Sequence, residues 1–223
     1  MKIILFGASG MVGQGVLREC LAAPDVDEVL VVGRSALGVT HAKLREVVHP
    51  DFFDYASIEP ALKGYDACFF CLGVSAGGMD EPRYTRLTHD LTLAAAGTLA
   101  RLNPAMVFVY VSGAGTDASE QGRSMWARVK GRTENALQRL PLRAVYLFRP
   151  GFIEPVHGER SKTGAYRLLY TLLRPLFPVL RRLFPRHILS TVDIGQAMLS
   201  VARHGAPRPM LEVADIRDAA GRA

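Results

Sequence analysis

Three glycines in the run Gly7-Ala8-Ser9-Gly10-Met11-Val12-Gly13 carry the clearest chemical signal in the chain. They follow a short apolar run, Ile3–Phe6, and open a stretch with apolar residues at Val12, Val16 and Cys20, a helical spacing. A strand that turns into a helix beneath a pyrophosphate needs glycine in three places. One makes the tight turn, one lets the backbone approach the phosphates, and one lets the helix pack on the strand. The helix N-terminus adds unpaired N–H groups and a partial positive charge. Gly7, Ser9, Gly10, Met11, Val12 and Gly13 are therefore expected to hold the phosphates of a nicotinamide dinucleotide. A plain turn would use glycine too, but the placement inside a βαβ unit of the right length favours the dinucleotide.

The second strand, Val29–Val32, runs into Gly33-Arg34-Ser35. An NAD site places a carboxylate about 20 residues past the loop, against the ribose 2′-hydroxyl. Gly33 stands there instead, and Arg34 follows it, while Asp25, Asp27 and Glu28 precede the strand and belong at its other end. An arginine without a competing carboxylate suits a 2′-phosphate through charge-assisted, bidentate bonds. NADP is expected in preference to NAD.

The elements that must position these residues alternate regularly. Further strands are expected at Leu44–Val48, Ala67–Leu72, Met106–Val111 and Arg143–Phe148, and helices at Met11–Ala22, around Ser57–Leu62, and at Tyr84–Leu102, Ser124–Leu140 and Thr191–Arg203. Continuous apolar strands separated by helices indicate a parallel sheet covered on both faces. The expected fold is α/β and doubly wound (a Rossmann sheet), with ligand at the carboxyl ends of the strands. All 223 residues are expected to form one domain, from which 151–189 leaves as a substrate-side lid or an interface.

Composition narrows the function classes. Seven of the cations lie between Arg160 and Leu189 with no acidic residue among them, more than the net charge of +6, so the remainder is near neutral. Nucleic acid is not an expected partner. The bulky apolar residues and arginines of Tyr166–Leu189 are interrupted by Pro175, Pro178 and Pro185, which prevents one long amphipathic face and argues against a membrane-surface role. A lid, a contact with a second copy or another protein, or simple packing with arginines outward remain. Cys68 and Cys71 read C-F-F-C, yet residues three apart on a strand point to opposite faces, so the pair is read as core rather than as a redox or metal site. Three cysteines in so long a chain suggest a reducing compartment, here the cytoplasm. The apolar run at the N-terminus is too short for a signal peptide, and no stretch approaches the length of a spanning helix.

Beyond the glycine loop stand Gly33-Arg34-Ser35, Asp51-Phe52, Cys71-Leu72-Gly73, Val111-Ser112-Gly113, Arg149-Pro150-Gly151 and Thr191–Gly195, each at the end of a strand or the head of a helix. Together they resemble atypical members of the short-chain dehydrogenase/reductase superfamily, of the TIP30-like, NmrA-like and epimerase/dehydratase type. The resemblance implies that Asp51 and Phe52 border the adenine and that Cys71, Leu72 and Gly73 pass along the cofactor. It implies too that Ser112 faces the nicotinamide, with the Pro150 backbone beside the carboxamide. The superfamily's Tyr-x-x-x-Lys appears here as Trp126–Lys130. The spacing keeps both side chains on one helix face. In the family the lysine binds the nicotinamide ribose and depresses the tyrosine pKa. An indole N–H donates a hydrogen bond but is no usable acid. Ser112, Lys130 and Trp126 are thus the candidate catalytic residues, with Tyr84 or Tyr166 as an outside source of the proton. Two functions compete: an NADP-dependent oxidoreductase on a small carbonyl-type substrate, and a cofactor-binding sensor or interaction module.

Overall fold

A computed structural model describes residues 1–159 and 188–223. Strands β1 (Lys2–Phe6), β2 (Glu28–Gly33), β3 (Leu44–Val48), β4 (Ala67–Phe70), β5 (Val107–Val111) and β6 (Ala144–Phe148) stand where the apolar runs predict them, within a residue or two. Strands β7 (Phe152–Glu154) and β8 (Ile188–Ser190) pair parallel in a small second sheet, and β9 (Met210–Leu211) adds to the edge of the main one. Seven strands in the order β3-β2-β1-β4-β5-β6-β9, every pair parallel, make the doubly wound sheet that was expected. The order reverses between β1 and β4, which opens the crevice where such sheets take ligands.

Strand residues alternate between two cores. Ile3, Leu5, Val29, Val31, Phe69 and Val109 meet one face, covered by helices α1 (Met11–Ala22), α5 (Thr191–His204) and α6 (Val213–Ala220). Ile4, Phe6, Leu30, Val32, Phe70 and Phe108 meet the other, covered by α3 (Leu91–Leu102) and α4 (Met125–Leu137). Burial on both faces is why the strands read as unbroken apolar runs. Cys68 belongs to the second core while Cys71 packs against the first, so the C-F-F-C thiols do diverge. Burial pushes the pKa of both thiols up.

Four boundaries differ from the sequence reading. Strand β4 ends at Phe70, and Cys71 and Leu72 belong to the following loop, although the Cys71 N–H still donates to the Phe6 carbonyl at 3.0 Å. The helix expected over Tyr84–Leu102 begins earlier, as α2 (Glu81–Thr85) capped by the Asp80 carboxylate, and passes through a π-helical turn, Arg86–Asp90, before α3. Helix α4 stops at Leu137 rather than Leu140. Strand β9 and helix α6 were not expected, because two apolar residues behind Pro207 and Pro209 carry no period of their own.

Helices α1 and α5 lie close enough that only glycine fits between them. A Cβ on Gly15 would stand 2.5 Å from Thr191 Cβ, and one on Gly195 would stand 2.6 Å from Glu19 Cγ and 3.3 Å from Val16 Cα. A capping box between Ser190 and Asp193 starts α5. The basic stretch from Arg160 to Arg186, and Tyr166 with it, lies outside the described residues. Among those described, no helix is long and apolar enough to cross a membrane.

Candidate functional site

The glycine loop sits at the carboxyl end of β1, beside the crevice. Gly7 has φ +79°, and a Cβ there would come within 2.6 Å of the Cys71 carbonyl carbon. At Gly13 a Cβ would stand 2.1 Å from the Gly7 carbonyl oxygen. These are the turn glycine and the packing glycine. Gly10 differs: a Cβ would meet only the Gly7 oxygen, at 3.3 Å, so its outer side is open. No side chain caps α1 and no acidic residue lies in its first turn. The amides of Met11 and Val12 face outward from a helix end whose own carbonyls cannot reach them. Gln14 braces the loop from behind, its Nε2 donating to the Ser9 carbonyl at 3.1 Å. An open glycine, an uncapped helix and no local carboxylate fit a pyrophosphate.

Two hollows flank the turn after β2. One, of about 310 Å³, is lined by Arg34, Asp51, Phe52, Leu72 and Val74, with Leu87 and Leu91 from the helix above. Its largely apolar walls suit a base. Phe52 is buried and packs edge-on to Phe6, with ring centroids 6.0 Å apart, and roughly parallel to Tyr55. The Asp51 carboxylate accepts the Phe53 N–H at 2.9 Å, which closes a local turn rather than capping the helix at Ala56–Leu62. Arg86 covers the Phe53 ring at 4.8 Å, so the π-helical turn roofs this end. The second hollow, about 780 Å³, lies on the α1 side, with Ser9 and Ser35 in its wall. The exposed Arg34 lines the base-sized hollow, and the next residue, Ser35, lines the one shared with the phosphate loop.

At the ends of β5 and β6 a third group converges. Ser112 N–H donates to the Phe148 carbonyl at 2.7 Å, and Ala114 N–H to the Pro150 carbonyl at 2.9 Å, so the two strand-end turns are tied together. Lys130 reaches in from α4 and donates to the carbonyls of Ser112 at 3.1 Å and Val111 at 3.4 Å. Its ammonium also lies 5.4 Å from the Tyr110 ring centroid. Burial pulls the Lys130 pKa down to about 8, against the opposing pull of the Glu134 carboxylate. Gly131 lets α4 approach this closely, since a Cβ there would lie 1.8 Å from the Asp117 carbonyl oxygen.

Trp126 lies one turn before Lys130, and its ring crosses the Gly113–Gly115 turn. A Cβ on Gly115 would stand 3.6 Å from Cη2, and one on Gly113 would stand 4.0 Å from Cζ3. Ser112, Trp126 and Lys130 are therefore brought together. The Ser112 hydroxyl is not free, however. Thr116 Oγ1 donates its one hydrogen to the Gly113 carbonyl at 2.8 Å, so in the 3.0 Å contact between the two hydroxyls Ser112 is the donor. Ser112 is left with lone pairs that can accept. Tyr84 is buried, and burial raises its pKa.

A family model described as NAD(P)H-binding matches residues 7–175. The chain belongs to this family. Among curated relatives, the mitochondrial protein fmp52 of Emericella nidulans is 31% identical over 169 residues, covering 73% of this chain and 70% of that protein. Protein HTATIP2 of Rattus norvegicus is 27% identical over 155 residues, 68% of this chain and 62% of that protein, so the match spans less than two thirds of its length. The fold matches that of the Bordetella bronchiseptica enzyme WbmF in complex with NAD+, with a TM-score of 0.69 at 16% identity over 99% of this chain and 76% of that one. It also matches a short-chain dehydrogenase/reductase family oxidoreductase from Burkholderia thailandensis, with a TM-score of 0.66 at 19% identity over 98% and 92% of the two chains. The likeness to atypical short-chain dehydrogenase/reductases read from the motifs is borne out.

For this NAD(P)H-binding chain, sequence reasoning missed the supporting residues. Gln14 behind the loop and Thr116 on Ser112 sit within a few residues of a motif but belong to none, and Leu87 and Leu91 over the base-sized hollow lie far from any. Thr116 had a readable signal, a hydroxyl four residues past Ser112 across a two-glycine turn. Glu134 had one as well, a carboxylate one helical turn beyond Lys130.

Proposed function

We propose that the chain binds NADP(H) in preference to NAD(H) and presents the nicotinamide to a small carbonyl-type substrate as an oxidoreductase. The observation that carries this reading is the convergence of Ser112 and Lys130 on the crevice whose phosphate loop and base-sized hollow are built for a dinucleotide. The cofactor, when bound, supplies or accepts a hydride. Gly7, Ser9, Gly10, Met11, Val12 and Gly13 hold the pyrophosphate, Asp51 and Phe52 border the adenine, Cys71, Leu72 and Gly73 pass along the cofactor, and Arg34 meets the 2′-phosphate. Lys130 donates to the nicotinamide ribose, and the Pro150 backbone lies by the carboxamide. Three free thiols suit a reducing compartment, which we take to be the cytoplasm.

A second reading rests on Trp126 and Thr116. The indole occupies the face on which a phenol would act, and the Ser112 hydrogen is committed to Thr116. A site with no hydroxyl proton to give would serve as a sensor of NADP(H), with another protein reading its occupancy.

Calorimetry with NADPH and NADH, followed by NADPH oxidation with a panel of aldehydes, ketones and quinones, tests both. Tight NADPH binding with turnover supports the oxidoreductase, and tight binding without turnover supports the sensor. Equal affinity for the two cofactors refutes the NADP preference. Arg34→Ala is expected to weaken NADPH binding by roughly ten- to a hundredfold, the value of about 1.5–3 kcal/mol for a charge-assisted contact, and to leave NADH binding unchanged.

A further inference from the structure

Among the described residues the most deeply buried ion pair joins Glu134 to Arg149, whose side chains are 1% and 9% exposed. Arg149 donates to both carboxylate oxygens, from Nε to Oε1 at 3.1 Å and from Nη2 to Oε2 at 2.5 Å. Its Nη1 reaches Glu212 Oε1 at 3.4 Å, and its N–H donates to the Leu211 carbonyl at 2.8 Å. A buried pair adds little net stability over an apolar pair of the same volume. What this pair adds is placement and charge. Glu134 lies one helical turn beyond Lys130, and Arg149 directly precedes Pro150, whose carbonyl holds Ala114 beside Ser112.

We propose that Glu134 and Arg149 are a positioning pair for the nicotinamide end of the cofactor site, in which Glu134 keeps Lys130 charged and Arg149 holds the Pro150 turn in register with α4. The proposal rests on the reading that Lys130 meets the cofactor. Around the Lys130 ammonium, α4 contributes the Glu134 carboxylate, and β5 contributes the Tyr110 ring and the carbonyls of Val111 and Ser112. Beyond these, β6 contributes Arg149, seen through Glu134, and Glu212 lies past it. Tyr84 reaches this group only through Tyr110, on which it acts. Glu134 is thus the nearest anion, and it opposes the loss of the Lys130 proton that burial favours.

The test is NADPH affinity of the full chain between pH 6 and pH 10, by calorimetry, for wild type, Glu134→Gln and the double variant Glu134→Gln/Arg149→Met, with a thermal melt of each. Wild-type affinity is expected to fall as pH rises through about 8. In Glu134→Gln this fall should begin at least about half a pH unit lower, since a nearby carboxylate is lost, and in the double variant it should also begin lower but by less, since the more distant Arg149 cation goes with it. Affinity at pH 8 then drops at least about twofold in Glu134→Gln relative to wild type. Glu134→Asp, which keeps the charge, should restore the wild-type pH at which the fall begins. A role in packing alone would lower melting temperature without moving the pH profile. Should Glu134→Gln fail to fold with Arg149 left unpaired, the double variant decides. Folded variants that bind NADPH with the wild-type pH profile overturn the positioning role. Wild type that binds no NADPH at any pH overturns the cofactor reading itself, which is a different failure.

Discussion

Replacing Lys130 with methionine should make the apo protein more stable while weakening its hold on NADPH. Burial lowers the lysine pKa from 10.5 to about 8. At about 1.4 kcal/mol per pH unit, a drop of that size corresponds to about 3 kcal/mol of cost for carrying the charge at neutral pH. The residue is only half-buried, so solvent screening reduces the figure. Methionine also gives up the bonds to the Ser112 and Val111 carbonyls; at 3.1 and 3.4 Å both are longer than a strong charge-assisted bond, so each counts about 1 kcal/mol rather than the about 1.5–3 kcal/mol of a short one. A net gain of at most about 1 kcal/mol is left, worth at most about 2–4 °C in melting temperature for a domain of this size. The sign with pH follows from proton counting. The unfolded chain keeps the lysine proton to its ordinary pKa, whereas the folded chain releases it near pH 8. Between those values the unfolded state binds more protons, so wild-type stability climbs with pH in that window. The methionine variant lacks that contribution, and its advantage should be full below pH 8 and shrink as pH approaches 10.5. Paired melts at pH 7 and pH 10 measure the difference directly, since every other group titrates alike in both proteins. A variant less stable than wild type at pH 7, with an unchanged pH slope, would refute the reasoning.

Three further outcomes are expected. Gly10→Val should abolish NADPH binding and leave a folded protein, because on the proposed reading the pyrophosphate approaches the open side of Gly10; calorimetry beside a thermal melt checks it, and normal binding would show the loop to be a turn only. Gly195→Ala should destabilise the fold by about 1–3 kcal/mol through overpacking between α1 and α5, without changing cofactor preference. This is read from urea unfolding, and a neutral result would mean that the helices separate at little cost. Trp126→Tyr should raise any trace of NADPH-dependent carbonyl reduction, since a phenol four residues before Lys130 restores an acid, and general acid catalysis contributes about 10²–10⁴-fold. Brisk wild-type turnover left intact by Trp126→Phe would place the proton source elsewhere.

How much of this was legible beforehand depends on where each constraint resides. Residues Ile3 to Phe6 and Val29 to Val32 are buried on both faces, so their sequence is unbroken and their place in the sheet is plain. The glycine loop is legible for a related reason: its glycines fall within seven residues, with the positive φ of Gly7 and the contact of Gly13 with the Gly7 carbonyl both local. By contrast, Gly15 and Gly195 are 180 residues apart in the chain and meet only when α1 and α5 pack. Nothing in either neighbourhood tells of the other. The π-helical turn at Arg86–Asp90 is likewise invisible, since its residues are ordinary helix formers and the widening carries Leu87 and Arg86 over the base-sized hollow and Phe53. Tertiary context decided it.

The nicotinamide end shows the same division and explains why function is harder to read than fold. Ser112, Trp126 and Lys130 could be named from the family resemblance, and they do converge. What the site can do is set instead by groups that no motif includes. Thr116 takes the Ser112 hydrogen, so the serine is left as an acceptor. A substrate carbonyl, itself an acceptor, would gain nothing from Ser112 in that state, and oxyanion-type stabilisation requires a donor. A hydroxyl on the substrate would be well met. Carbonyl reduction at this position would therefore need the Ser112 hydrogen to leave Thr116, whereas alcohol oxidation would not. Thr116→Val removes the competing acceptor and returns the hydrogen to Ser112. If Ser112 orients substrate, this variant should favour carbonyl reduction over alcohol oxidation, measured as the ratio of kcat/KM in the two directions with isosteric substrates at fixed pH. An unchanged ratio in a folded, NADPH-binding variant would show that Ser112 does not touch the reacting oxygen.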